Sequence, residues 1–99
     1  GNTTLTTTSE SELGSFSTTT YTSGKFVITG KEGSNVQISE LLVVHNGTTA
    51  SSTEYGVVRT NQTVFTANVD ISSGNFRVLV AGATADSTKY TMSGTLLRT

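Results

Sequence analysis

Glu40-Leu41-Leu42-Val43-Val44-His45-Asn46-Gly47-Thr48-Thr49-Ala50-Ser51-Ser52-Thr53-Glu54-Tyr55-Gly56 reads as two strands joined by a turn. It holds the strongest apolar run of the chain and its only His. Asn46-Gly47 suits a two-residue type I′ turn, because both residues tolerate positive φ. In that register His45 lies opposite Thr48, and the side chains sort onto two faces. Glu40, Leu42, Val44, Thr49, Ser51, Thr53, Tyr55 and Val57 share one face. Leu41, Val43, His45, Thr48, Ala50, Ser52 and Glu54 share the other.

Outward from this hairpin the chain alternates between strand patterns and turn clusters. Gly24 to Gly30 puts Phe26 and Ile28 on one side, and Lys31-Glu32-Gly33-Ser34 turns into a strand over Val36 to His45. Thr48 to Thr60 pairs back on it. Val64 to Ile71 sets Phe65, Ala67, Val69 and Ile71 against Thr66, Asn68 and Asp70. Ser72-Ser73-Gly74-Asn75 turns into Phe76 to Ala81, where Phe76, Val78 and Val80 alternate with Arg77 and Leu79. A last strand, Lys89 to Arg98, directs Tyr90, Met92 and Leu96 inward, and Leu13 to Ser17 is a short additional one. No 3.6-residue period is sustained. About seven to eight short strands at spacings near ten residues predict an all-β fold, an antiparallel β-sandwich or jelly roll. Residues 1–12 are low in complexity and are expected to form a flexible or extended N-terminal segment; 13–99 are expected to form a single β-sandwich domain.

The bulk composition fits such a fold. The 99 residues suffice for one domain with a modest core, and 33% are hydrophobic. Low hydrophobicity accompanies disorder when net charge or proline content is high, but here the net charge is -1 and there is no Pro. Thr and Ser fill about a third of the positions, and β-branched Thr suits a half-exposed pleated surface. Lys25, Lys31, Arg59, Arg77, Lys89 and Arg98 are scattered singly, so nucleic acid is not an expected partner. No apolar run approaches the roughly 20 residues of a membrane-spanning helix, and a membrane is not an expected partner either. Without Cys there is neither a disulfide nor a thiolate metal site. Asn-x-Thr occurs at Asn2, Asn46 and Asn61, as the abundance of hydroxyl residues makes common by chance.

The same hairpin is the first place to look for catalysis, because it sets a lone His between two carboxylates. The expected register argues against it. Glu40 and Glu54 fall on opposite faces, a poor arrangement for a glycosidase pair roughly 5–10 Å apart. His45 and Glu54 share a face but stand about 20 Å apart along the ribbon, too far for a hydrogen-bonded dyad. No Ser sits in a Gly-x-Ser-x-Gly elbow, and Asp70 to Asn75 reads as a turn rather than a metal loop. No catalytic residue, metal ligand or cofactor is therefore expected. Four residues stand out structurally: Asn46 and Gly47 for the turn, and Glu40 and Arg77, a carboxylate and a guanidinium that a buried ion pair would join. The simpler reading satisfies Glu40 with Thr53 or a nearby backbone group. His45 is expected near solvent at the hairpin end, and Tyr55, Tyr90 and Phe65 in the core.

An ordered set of short motifs covers residues 13–98. It comprises Gly14-Ser15-Phe16, Tyr21 with Lys25-Phe26, Glu40 to Thr48, Thr53-Glu54-Tyr55-Gly56, Phe65-Thr66-Ala67-Asn68-Val69, and Gly74-Asn75-Phe76-Arg77-Val78-Leu79-Val80. In order and spacing the set resembles a module of virion structural proteins from marine tailed phages, particularly phages of cyanobacteria. Asn46, where Asp is common, and Ser52, where a larger residue is usual, are mild departures. The resemblance implies a non-enzymatic virion module, placed on tail, neck, fibre or capsid surface, acting by packing against other virion proteins. It also implies a homo-oligomer, with a trimer among the arrangements. The alternative is a fibre-tip or capsid-decoration domain that binds a host-surface glycan.

Overall fold

The computed structural model describes residues 2–99. These contain eight strands: β1 (Asn2–Leu5), β2 (Ser11–Ser17), β3 (Tyr21–Glu32), β4 (Asn35–His45), β5 (Ala50–Arg59), β6 (Phe65–Ser72), β7 (Asn75–Gly82) and β8 (Thr88–Arg98). A five-stranded sheet in the order β1-β8-β3-β4-β5 faces a three-stranded sheet in the order β2-β7-β6, and every pairing is antiparallel. The all-β sandwich expected from the sequence is what the chain forms. β1 runs along the edge of the larger sheet beside β8.

Alternation builds the core. Phe26, Ile28, Leu41 and Val43 from the larger sheet meet Phe65, Val69, Phe76, Val78 and Val80 from the smaller one, with Tyr90 and Val64 completing the cluster. Phe16 bridges Phe26 and Phe76 at ring-centroid distances of 5.3 and 5.4 Å, and Phe65 meets Tyr90 edge-on at 5.5 Å. The Phe26 ring lies over the backbone at Gly24 and Gly94, where a Cβ would collide with it. Those strand glycines are therefore places of close approach. Leu79 alternates away from the core yet is 4% exposed, because the central strand β7 flanks it with Glu12 and Asn68.

One polar side chain sits inside the sandwich with all its hydrogen-bonding capacity used. Gln37, 2% exposed on β4, reaches the segment that carries the chain from β5 to β6. Its Oε1 accepts from the backbone N–H of Val64 at 2.8 Å and of Phe65 at 3.3 Å. Its Nε2 donates to the Phe65 carbonyl at 3.0 Å and to Ser39 Oγ at 3.2 Å. Two donors and two acceptors are thus satisfied, and the amide orientation is fixed because a backbone N–H can only donate. Sequence alternation already places Gln37 in phase with Ser39, Leu41 and Val43.

The turns correct one expectation. A two-residue turn with both φ values positive, the type I′ pattern, occurs at Ser73-Gly74 (φ 52° and 79°), not at Asn46-Gly47. The β4–β5 connection is a four-residue loop, Asn46 to Thr49, in which Gly47 alone has positive φ. Asn46 Oδ1 accepts from the N–H groups of Thr48 and Thr49 at 3.1 and 2.9 Å, so its side chain organises the loop in place of a left-handed backbone. His45 consequently pairs with Ala50 rather than Thr48. Farther along, Glu40 pairs with Gly56 and Leu41 with Glu54, which leaves Tyr55 as a bulge residue. Beyond the bulge the faces exchange: Val57 joins Ser39 on the inner side, and Val58 joins Ile38 outside.

Replacing Gln37 with Leu keeps its bulk but strands two backbone N–H groups and a carbonyl in the interior. Urea unfolding of Gln37→Leu should show a loss of at least about 2 kcal/mol. Gly94→Ala should cost about 1–3 kcal/mol by displacing the Phe26 ring; combining it with Phe26→Leu should cost less than the sum of the two single changes.

Candidate functional site on the outer sheet face

The outer surface of the smaller sheet is ionic. Arg77 grips Asp70 through Nε to Oδ1 at 2.7 Å and Nη2 to Oδ2 at 2.5 Å, with Glu12 at 3.8 Å on its other side. The Arg77 hydrogen bonds hold the Asp70 carboxyl below the usual aspartate range, and Asp70 in turn raises the Arg77 guanidinium. Nearby, Asn68 donates to Glu10 at 3.1 Å. The buried Glu40–Arg77 pair considered as the alternative is not formed, because the two residues lie on the outer faces of different sheets.

The outer surface of the larger sheet is different in kind. Ile38, Leu42, Val44, Tyr55, Val58 and Leu97 are the large hydrophobic residues left exposed among those described, at 40% to 67%. All six project from this one face, as the pairings of β3, β4, β5 and β8 require. Together they leave open on the order of 600 Å², the top of the range for the largest apolar patch on a typical monomer. An open depression of about 750 Å³ lies beside three of them, with Ser23 and Lys25 on its floor between Leu97 and the Leu42–Val44 ridge. The sequence carries a corresponding signal: Leu41 to Val44 is apolar in both alternation phases, the pattern of a strand covered on both faces.

One ion pair stands on this face among the described residues, Lys25 Nζ to Glu40 Oε2 at 3.9 Å, with Lys31 and Lys89 side by side at its end. Hydrogen bonding to Glu40, with a smaller desolvation effect, raises the Tyr55 phenol above its ordinary value. Tyr55 is thus an exposed residue and not the core residue expected, because the face it shares with Leu42 and Val44 is the outer one. Glu40 is satisfied by Lys25 and Tyr55, not by Thr53 or the backbone.

His45 also departs from expectation. It is 8% exposed, and its ring lies 5.3 Å from that of Phe76. Nδ1 accepts the Gly47 N–H at 3.0 Å, so the proton is on Nε2, which donates to the Tyr21 carbonyl at 2.5 Å. This ring ties the β4–β5 loop to the start of β3. The contacts come from Tyr21 and Phe76, too distant in sequence to be read from the hairpin. Asn46 and Gly47 shape that loop.

These placements keep the carboxylates apart. Glu40 lies on the outer face of one sheet, Asp70 on that of the other, and Glu54 follows the opposite face of β5 from Glu40. His45 and Glu54 are four pairing steps apart on one face, roughly 13 Å, closer than expected but beyond hydrogen-bonding reach. No group of three or more metal-ligating side chains occurs among the described residues.

No protein-family model matches the chain, and no curated protein is similar to it in sequence. Among solved structures, it is similar to part of the crystal structure of the Acinetobacter phage vB_ApiP_P1 tailspike protein, with a TM-score of 0.55 and 20% identity. The match covers 99% of this chain and 20% of the tailspike chain, so this chain spans about a fifth of that protein's length. At this identity the likeness is one of fold.

The depressed Asp70 value sets a pH dependence. Its contribution is fully present above the ordinary aspartate value and is lost as pH falls through the lower folded value. Thermal melts of Asp70→Asn should therefore fall below those of the parent at neutral pH, and the gap should close in strong acid.

Proposed function

We propose that this chain is a non-enzymatic structural module of a phage virion, acting through protein–protein packing on the outer face of its five-stranded sheet. The carrying observation is the gathering of all six exposed large hydrophobic residues on that face. Water-facing sheet surfaces normally complete the alternation with polar residues; this one places Leu, Val, Ile and Tyr there. The virion context draws on two independent likenesses, the ordered motifs over residues 13–98 and the shared fold with part of a phage tailspike. The marine origin suggested by the motifs has no counterpart in that second likeness, which lies with an Acinetobacter phage. Localisation in the particle, contact with other virion proteins and assembly into a homo-oligomer follow from this reading.

A second reading has one specific observation behind it. Tyr55 is half exposed beside Glu40, Lys25 and several hydroxyl side chains, the combination of a stacking ring and polar groups that a sugar uses. In that reading the module contacts a host-surface glycan.

Antibodies raised against the chain should decorate purified phage particles at fixed positions, and the chain should release no reducing ends from bacterial polysaccharides. Unlabelled particles would end the structural reading. Binding on a glycan array that disappears in Tyr55→Ala would move the function to sugar recognition.

A further inference from the structure

We infer that the outer face of the five-stranded sheet docks against the same face of a second copy, about a two-fold axis parallel to the strands and running between β3 and β4. This deepens the packing role proposed above by naming the partner. The pairings fix what such an axis brings together: β4 lies over β3 of the partner subunit, and β8 over its β5. At one level of the sheet stand Leu97, Ser23, Val44 and Ser51; six residue pairs further along β3 and β4 stand Thr91, Thr29, Ile38 and Val58.

Rotation about this axis sets large residues against small ones. Val44 meets Ser23 of the partner subunit, and Leu97 meets Ser51 of the partner subunit. Ile38 meets Thr29 of the partner subunit, and Val58 meets Thr91 of the partner subunit. Leu42 covers the aliphatic stem of Lys25 of the partner subunit. The ridge of Leu42 and Val44 thereby enters the depression floored by Ser23 and Lys25, and each copy offers both ridge and groove. Such self-complementarity is what a two-fold interface requires.

Area favours this occupant. The ion pair at the centre of the face, Lys25 with Glu40, is already matched within one copy, and the further cations Lys31 and Lys89 stand at its end, beyond Ile38 and Thr91. The six hydrophobic residues, with the Ser and Thr between them, approach the roughly 800 Å² per partner of a stable interface. Two sheet faces stacked about 10 Å apart repeat between subunits the packing already present within one.

Two measurements test this. Sedimentation equilibrium of the chain should give a mass rising with concentration to two copies. Val44→Asp should weaken that association by at least about thirtyfold with an unchanged melt. If Val44→Asp melts early, Ser23→Arg fills the groove instead and should have the same effect. The chain has no Cys, so a spin label at Lys89→Cys is unique. Mixed with isotopically labelled parent chain, it should broaden the Val58 methyl signals of the labelled copy. A single-copy mass at every concentration, a three-copy mass, association indifferent to both substitutions, or broadening away from Val58 would overturn the inference. A two-copy mass with particles that antibodies fail to decorate would remove the virion reading and leave this one standing.

Discussion

The sandwich depends on the Gln37 amide. Two sheets of unequal width must be connected where the chain leaves β5 for β6, and that crossing turns backbone N–H and C=O groups of Val64 and Phe65 toward the interior. Water is excluded there by Phe65 and Val64 themselves, so a side chain with both donors and acceptors has to take its place. Gln37 does so from the middle of a sheet, with Ser39 completing its shell. Phe65 can then enter the core against Tyr90, and β6 is presented to β7 in the register that closes the smaller sheet. A thin hydrophobic core is consequently defined in position by one polar group.

The two outer faces solve different problems. On the smaller sheet, the guanidinium of Arg77 is held between Asp70 and Glu12, and Leu79 is covered by its cross-strand neighbours. That surface is complete in water. The larger sheet instead leaves branched side chains standing between hydroxyl residues, with the Lys25–Glu40 pair among them. The difference between the faces, more than any cluster of reactive groups, directs attention to assembly.

Much of the fold was legible because strands write a period of two into the sequence. Phe26 and Ile28, Phe65 and Val69, and Phe76, Val78 and Val80 were each grouped on one face of a strand on that basis, and all are buried. What alternation cannot encode is a change of phase. The bulge at Tyr55 exchanged Val57 with Val58, and nothing in the local sequence marks it. The Asn46-Gly47 turn failed for a different reason: Asn has a side-chain carbonyl that competes for the loop N–H groups, and here that competition won. His45 was misplaced because its burial is contributed by Tyr21 and Phe76. The apolar outer face was present in the sequence as the double-phase run Leu41 to Val44, but an unbroken run alone does not say what covers it.

The bulge has a bearing on how such a surface changes over time. Strand β5 is read in two phases, one before Tyr55 and one after it, and residue identity is secondary to residue count. Loss of that single codon would straighten the strand and leave Val57 inside and Val58 outside, because Gly56 would then follow Glu54 in regular alternation. Gain or loss of a residue farther along, with the bulge retained, would exchange the faces of the strand beyond it. A module with this construction can redraw the β5 part of its contact surface by an insertion or deletion of one residue, a step that point substitution would need several coordinated changes to match.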